Sequence, residues 1–183
     1  MTTFTRLLCL VPAMTLAACS GTLPPVRSVA HVDLDRFMGD WFVIASIPTF
    51  IEQDAYNAVE SYERTGDKLV ATTFRFNQGA FDGPLKTYKP TGYVSDDPSN
   101  AIWGMQFIWP IKADYRVMYL SEDYTRTVIG RNKRDYVWIM ARTPVIADTD
   151  YKILVDLIAD QGYDISKLRR VPQRHLYSGG QRP

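Results

Sequence analysis

The feature that most constrains the fold of this chain is a series of short strand-like runs along its middle part. Each run is rich in aromatic and β-branched residues and is bounded by Gly, Asn, Asp or Pro. Eight runs can be delimited, at Trp41–Ile47, Tyr56–Glu63, Lys68–Phe76, Leu85–Val94, Ala101–Ile108, Tyr115–Leu120, Tyr124–Gly130 and Tyr136–Ala141. Even spacing of this kind predicts an all-β protein, either a sandwich or an up-and-down barrel.

One amphipathic helix is predicted after the last run, at residues 149–160. Four apolar residues follow the i, i+3, i+4, i+7 spacing and form one stripe: Tyr151, Leu154, Val155 and Ile158. Asp148 is the expected N-cap, and Gly162 is expected to end the helix. A shorter helical turn is predicted at residues 34–38. The long helix must pack on the outside of whatever the strands enclose.

The beginning of the chain has the composition of a secretory signal. Residues 7–18 (LLCLVPAMTLAA) form an apolar run that is too short for a bilayer, which takes about 20 apolar residues, but it suits a signal peptide. The run ends in LAAC, which resembles the lipobox of bacterial lipoproteins. We therefore predict a signal peptide at 1–18 and a lipidated Cys19. The alternative is an ordinary signal peptide followed by a chance cysteine.

These assignments divide the chain into segments. Residues 19–33 are predicted to be a lipidated tether, 34–175 the barrel with its helix, and 176–183 a loose tail. Cys9 falls in the signal, so Cys19 would be the only cysteine of the mature chain. A lipid on this cysteine would exclude a disulfide.

The composition argues against several classes of function. With 21 basic and 20 acidic residues, the chain has no positive field for a nucleic acid. His31 and His175 lie outside the predicted strands, so we expect neither a histidine base nor a zinc site. Asp96 and Asp97 are interpreted as a solvated turn rather than a calcium site. There is no G-x-S-x-G motif or P-loop, and we predict a non-enzyme without metal or cofactor.

Alternation along the runs predicts which side chains face the interior of a closed sheet. The predicted inward set is Val43, Ala45, Phe74, Phe76, Met105, Phe107, Tyr115, Val117, Tyr119, Trp138 and Met140. The second run is ambiguous, because one of its faces carries Tyr56 and Glu60 and the other carries Asn57 and Val59. Such a lining, apolar with several tyrosine hydroxyls, suits one amphipathic ligand. The alternative is an interior filled by its own aromatic side chains.

Three short motifs resemble the signatures of the lipocalin family. Residues 39–41 (GDW) resemble its glycine-x-tryptophan signature, residues 123–124 (DY) stand where it has a second, and Arg142 matches a third. The block RDYVWIMARTP, followed by a helix and GYDISKL, looks most like the bacterial outer-membrane lipocalins. The resemblance covers roughly residues 33–173. It implies an eight-stranded antiparallel up-and-down barrel with one C-terminal α-helix packed outside.

The resemblance also implies roles for individual residues. Trp41 would fill the closed end of the barrel, the Arg142 guanidinium would lie across its indole, and Gly39 would bend the chain into the first strand. These residues are interpreted as structural barrel closure. Comparison with the family favours the face carrying Tyr56 and Glu60 as the inward one. A solvent-facing Glu60 is the alternative.

Ligand and location follow from the same resemblance. Fatty acids or lysophospholipids are the implied ligands, bound by a monomer or homodimer without nucleic acid. Ser20, in place of Asp after Cys19, implies sorting to the outer membrane of a Gram-negative cell, with the lipid-anchored protein facing the periplasm. Two other functions stay open. One is an envelope scaffold with a filled barrel, and the other is a lipocalin-fold enzyme that uses Glu60 and a tyrosine on a lipophilic substrate.

Overall fold

The computed structural model describes residues 23–174, so the predicted signal peptide, Cys19, His175 and the 176–183 tail lie outside the described residues. The helical elements are α1 (Leu34–Phe37), α2 (Asp148–Asp160) and a 3₁₀ turn (Ile165–Lys167). The strands are β1 (Gly39–Ile47), β2 (Ala55–Gly66), β3 (Leu69–Gln78), β4 (Leu85–Tyr88), β5 (Thr91–Val94), β6 (Ile102–Ile108), β7 (Ile111–Leu120), β8 (Arg126–Gly130), β9 (Val137–Ala141) and β10 (Arg169–Arg170). In this part of the chain no helix is both long and apolar enough to cross a membrane.

The strands form one closed antiparallel barrel. They pair in the order β1-β2-β3-β5-β6-β7-β8-β9, and β9 pairs back with β1. Both β4 and β5 pair with β3 and together make one strand of the wall. The predicted run Leu85–Val94 is interrupted between them at Lys89 and Pro90, because proline has no N–H to donate to a ladder. The eight-stranded up-and-down barrel is confirmed.

Two apolar clusters hold this fold together. One fills the closed part of the barrel interior and contains Phe37, Trp41 and Trp103. The other lies outside the barrel, where Leu154 and Ile158 of α2 are buried against β1, β7, β8 and β9. The predicted position of the helix on the outer surface is therefore confirmed.

The ends of α2 differ in part from the prediction. Ala147 is the N-cap, and Asp148 is the first helical residue. The Asp148 carboxylate accepts a hydrogen bond from Arg170 at 2.9 Å instead of capping the helix, so the predicted N-cap is wrong. Gly162 follows the helix with a φ of +86°, a conformation that favours glycine.

The N-terminal segment is packed on the barrel from Val26 onward. Val26 and Val32 are buried, and the Val32 amide donates to the Ser99 carbonyl at 2.7 Å. The Val29 amide donates to the Val117 carbonyl at 2.9 Å. The prediction of a tether up to residue 33 does not hold for this part, because valines recur there at every third position and two of them, Val26 and Val32, are buried against the barrel.

Irregular pairing in β1 and β7 turns two predicted interior residues outward. The register of β1 on β9 shifts between Val43 and Ala45, and Ala45 lies in the cluster beneath α2. In β7 the register on β8 shifts between Val117 and Tyr119, and Tyr119 packs against the same outer cluster. The inward predictions for Ala45 and Tyr119 are wrong, because a bulge adds one residue and reverses the alternation.

A third irregularity, in β2, displaces Tyr56. The register on β3 shifts between Tyr56 and Val59, and Asn57 has a positive φ of 51°. Tyr56 packs edge-on against Phe81, with ring centroids 5.1 Å apart, on the outer surface. The inward prediction for Tyr56 is therefore wrong. The structure places Glu60, beyond the bulge, inside the barrel.

Candidate ligand-binding cavity

The barrel is closed at one end by Trp41 and Arg142. Trp41 is fully buried, and its indole N–H donates to the Phe37 carbonyl at 2.9 Å. The guanidinium carbon of Arg142 lies 3.8 Å from the centre of the Trp41 ring. Phe37 packs against this indole with ring centroids 5.1 Å apart, and Phe37, Tyr62 and Trp103 pack against one another at 5.5–6.0 Å. The result is an aromatic floor without an opening.

Arg142 also binds the backbone that leads into the first strand. Its two terminal nitrogens donate at 2.8–3.0 Å to four backbone carbonyls within one stretch of five residues. These carbonyls belong to Arg36, Phe37, Met38 and Asp40. Gly39, within this segment, has a φ of +93°, and a Cβ there would lie 3.4 Å from Arg142 Nη1. The chain can turn so sharply around the guanidinium because residue 39 is glycine.

The other end of the barrel opens into a cavity of about 430 Å³. Six of the residues predicted to bind a ligand line it: Glu60, Phe74, Met105, Phe107, Tyr115 and Trp138. Four more are buried in the barrel interior without being part of the cavity wall: Val43, Phe76, Val117 and Met140. The cavity lies within the range of volumes that small-molecule sites occupy in proteins.

Sequence reasoning missed two thirds of the cavity lining, twelve of its eighteen residues. The missed residues are Thr49, Phe50, Ile51, Glu52, Thr72, Tyr88, Lys89, Pro90, Ile108, Ala113, Asp114 and Arg131. Thr72 and Ala113 share the strand parity of Phe74 and Tyr115, so the alternation contained a signal for them. The sequence contained no such signal for loop residues such as Glu52, because their position depends on how the β1–β2 loop folds over the opening.

Glu60 is a carboxylate among apolar walls near the floor. It lies opposite Phe74 on β3, and solvent reaches it only through the cavity. Its Oε2 accepts a hydrogen bond from the Tyr62 hydroxyl, which in turn lies 2.8 Å from the Tyr115 hydroxyl. Burial raises the pKa of Glu60 to about 7, against the opposing effect of the Tyr62 hydrogen bond.

Glu52 is a second carboxylate, nearer the opening. Its oxygens accept the Trp138 indole N–H at 3.2 Å and the Thr49 amide at 2.8 Å. Burial raises the pKa of Glu52, although these hydrogen bonds act in the opposite direction. The negative charge of Glu52 also contributes to the raised pKa of Glu60. The two groups therefore make the inner cavity unfavourable for another anion.

The rim of the opening is apolar and exposed. Phe50 and Trp109 are each 82% exposed, and Ile108 and Ile111 are about as accessible. Lys89 and Arg131 also line the cavity, and Arg131 lies 3.4 Å from Asp135. The lining therefore holds two cationic side chains beside three carboxylates, those of Glu52, Glu60 and Asp114.

The described residues offer no obvious metal centre. Among residues 23–174, no group of three or more His, Cys, Asp or Glu is placed to hold an ion. His31 is exposed. Asp97 accepts hydrogen bonds from the backbone and hydroxyl of Ser99 within its turn.

Comparison with known proteins identifies the family. A family model described as "Lipocalin-like domain" matches residues 32–173. The chain is 32% identical over 154 residues to temperature-induced lipocalin-1 of Arabidopsis thaliana, covering 79% of this chain and 81% of the relative. It is 30% identical over 184 residues to outer membrane lipoprotein Blc of Citrobacter freundii, covering 92% of this chain and 98% of the relative.

Solved structures agree with the fold. Insecticyanin from Manduca sexta superposes with a TM-score of 0.64 at 17% identity, covering 82% of this chain and 86% of that one. Lobster apocrustacyanin A1 gives a TM-score of 0.63 at 11% identity, covering 82% and 92%. These likenesses concern the fold alone. The family model, the two sequence relatives and the closed barrel together show that this chain belongs to the lipocalin family.

Proposed function

We propose that this protein binds and carries a small amphipathic lipid, with the apolar chain of the lipid inside the barrel. The observation that supports this most is the cavity of about 430 Å³, closed by an aromatic floor and open at one end. Its walls are mainly aromatic and aliphatic, with few polar groups, as in sites that bind lipophilic small molecules. Membership of the lipocalin family supports the same general function.

The charge distribution favours one orientation of the lipid. Glu52 and Glu60 would repel a carboxylate or phosphate placed deep in the cavity, whereas Arg131, which directly follows β8 at the open end of the barrel, supplies positive charge nearer the opening. An anionic head group would therefore stay at the opening while the chain enters. Fatty acids and lysophospholipids are the proposed ligand classes.

We further propose an outer-membrane location with a lipid on Cys19, facing the periplasm. The support is the LAAC sequence that ends the apolar N-terminal run, together with relatives named outer membrane lipoprotein from Citrobacter freundii and Escherichia coli. Labelling the expressed protein with radioactive palmitate tests the anchor. Label should be incorporated in the natural chain and lost in Cys19→Ala.

Native mass spectrometry tests lipid binding directly. The protein without Cys19 is purified from its own cell envelope, and bound molecules are extracted and identified. We expect one fatty acid or lysophospholipid per chain, with reduced occupancy in Trp138→Ala, because this side chain forms part of the cavity wall. Tyr151→Ala, on the outer helix, is the matched control. An empty barrel that also fails to take up added fatty acids would contradict the proposal.

A further inference from the structure

We propose that the cavity recognises a hydroxyl group at the inserted end of its ligand, through Glu60 and Thr72. The guest would then be an amphipathic molecule with two polar ends, an anionic head at the opening and a neutral hydroxyl near the floor. The proposal rests on the lipid-binding function above and adds to it the chemistry of the buried end of the ligand.

The first argument is the hydrogen bonding of Glu60. Oε2 is occupied by the Tyr62 hydroxyl, which can in turn accept from Tyr115. In the described part of the chain, nothing donates to Oε1, and the carboxylate borders the cavity. An acceptor in an apolar cavity is costly when it has no donor. A ligand hydroxyl would supply that donor.

The second argument is independent and comes from Thr72. The residue is 3% exposed and borders the cavity, yet Oγ1, which has almost no accessible surface of its own, has no hydrogen-bond partner among residues 23–174. Buried hydroxyls in folded proteins are nearly always paired. The neighbouring residues of β3 on the same face, Val70 and Phe74, are apolar. A hydroxyl would be out of place here unless a ligand or solvent pairs with it.

Sheet geometry brings the two groups within reach of one ligand atom. Thr72 lies opposite Tyr62, and Glu60 lies opposite Phe74, so Thr72 and Glu60 are diagonal neighbours on the inner face. Diagonal neighbours are about 7 Å apart. Once the Thr72 side chain turns about χ1 so that Oγ1 faces the cavity, one hydroxyl oxygen between them can donate to Glu60 and accept from Thr72, which satisfies both side chains.

A hydroxyl fits this position better than a charged group. A second anion would be repelled by Glu60 and Glu52, and a cation by Lys89 and Arg131 in the cavity wall. Since the pKa of Glu60 is about 7, its carboxyl is present in both protonation states near neutral pH. A hydroxyl can donate to the ionised form and accept from the protonated one.

The test compares ω-hydroxyhexadecanoic acid with hexadecanoic acid, together with shorter and longer matched pairs. Affinities are measured by calorimetry on the chain lacking Cys19. At the chain length that reaches the floor, we expect the hydroxy acid to bind about tenfold more tightly or better. Thr72→Val and Glu60→Leu should each bring the ratio of the two affinities close to one, whatever their effect on the affinity for the plain acid.

The outcomes separate this inference from the proposed function. Thr73→Val, which is adjacent on β3 but on the outer face, should keep the preference for the hydroxy acid. Equal or weaker binding of the hydroxy acid at every length would overturn the inference and leave lipid binding intact. Failure of both acids to bind would instead overturn the proposed function. Thr72→Val is the conservative variant if Glu60→Leu does not fold.

Discussion

Arg142 lies over the ring of Trp41, with its guanidinium carbon 3.8 Å from the ring centre, and its nitrogens donate to the carbonyls on either side of Gly39. One side chain from the end of β9 thus joins the turn that precedes β1. Charged donors that are stacked and hydrogen-bonded in this way contribute more than surface ion pairs. The closed end of the barrel depends on this contact.

Replacing Arg142 by lysine should therefore destabilise the fold. Lysine keeps the charge but cannot bind several carbonyls as a planar fork. We expect a loss of about 3 kcal/mol or more in the free energy of unfolding, measured in urea. Arg75→Lys, which alters an exposed pair with Asp40, should change stability by about 0.5 kcal/mol at most. Equal losses of stability in the two variants would contradict the conclusion that Arg142 stabilises the closed end of the barrel.

Gly39→Ala should also destabilise the fold, but for a different reason. With a φ of +93°, an alanine would be strained, and we expect a cost of about 1–3 kcal/mol. Gly66→Ala is the control, because its Cβ would meet only Leu69 at an ordinary 3.6 Å. Thermal unfolding of both variants measures the difference. A Gly39→Ala protein as stable as Gly66→Ala would show that the local backbone can relax.

Glu60 should make stability depend on pH. Its pKa is about 7 in the folded protein and near 4.5 when unfolded. Between these values the folded chain holds a proton that the unfolded chain has released. The contribution of Glu60 to the free energy of unfolding is therefore most favourable below about pH 4.5. It falls as the pH rises through 7, by about 3 kcal/mol in all.

Glu60→Gln removes this titration and tests the assignment. Urea unfolding at several pH values between the two pKa values and above should give a flatter profile for the variant than for the natural chain. Glu63→Gln, on an exposed position of the same strand, should retain the natural slope. An unchanged slope in Glu60→Gln would mean that the carboxylate is solvated in solution. Glu52, whose pKa is also raised, should account for part of the remaining slope.

Filling the cavity distinguishes a carrier from a scaffold. Ala113 borders the cavity, so Ala113→Trp should reduce fatty-acid affinity at least tenfold by occupying the space of the ligand. Thr87→Trp, on an exposed position of β4, should bind normally. The phenotype of cells that lack the protein, and its rescue by each variant, gives the second readout. Full function of the Ala113→Trp protein would favour a surface-binding scaffold.

The sequence predicted the architecture better than the detail of the site. Strand alternation and turn residues indicated the barrel, and the GDW motif with Arg142 indicated how it closes. The wrong inward predictions for Ala45, Tyr56 and Tyr119 are all caused by β-bulges. A barrel uses bulges to bend its strands, and the local alternation of residues does not reveal where they occur. Asn57 was the only hint, since asparagine tolerates a positive φ. The position of Glu52 depends on a loop whose path is set by tertiary contacts.

The closure of the barrel by β1 and β9 has a consequence for how the chain folds. The first strand of the barrel wall needs the last strand of that wall, β9, as a neighbour, and the hydrogen bonds of Arg142 to the first turn span 102 to 106 residues of sequence. Contacts so distant along the chain slow folding, because a long loop must be closed before they form. One edge of β1 must therefore wait unpaired while the rest of the sheet is synthesised, and during that interval it is open to pairing with another chain.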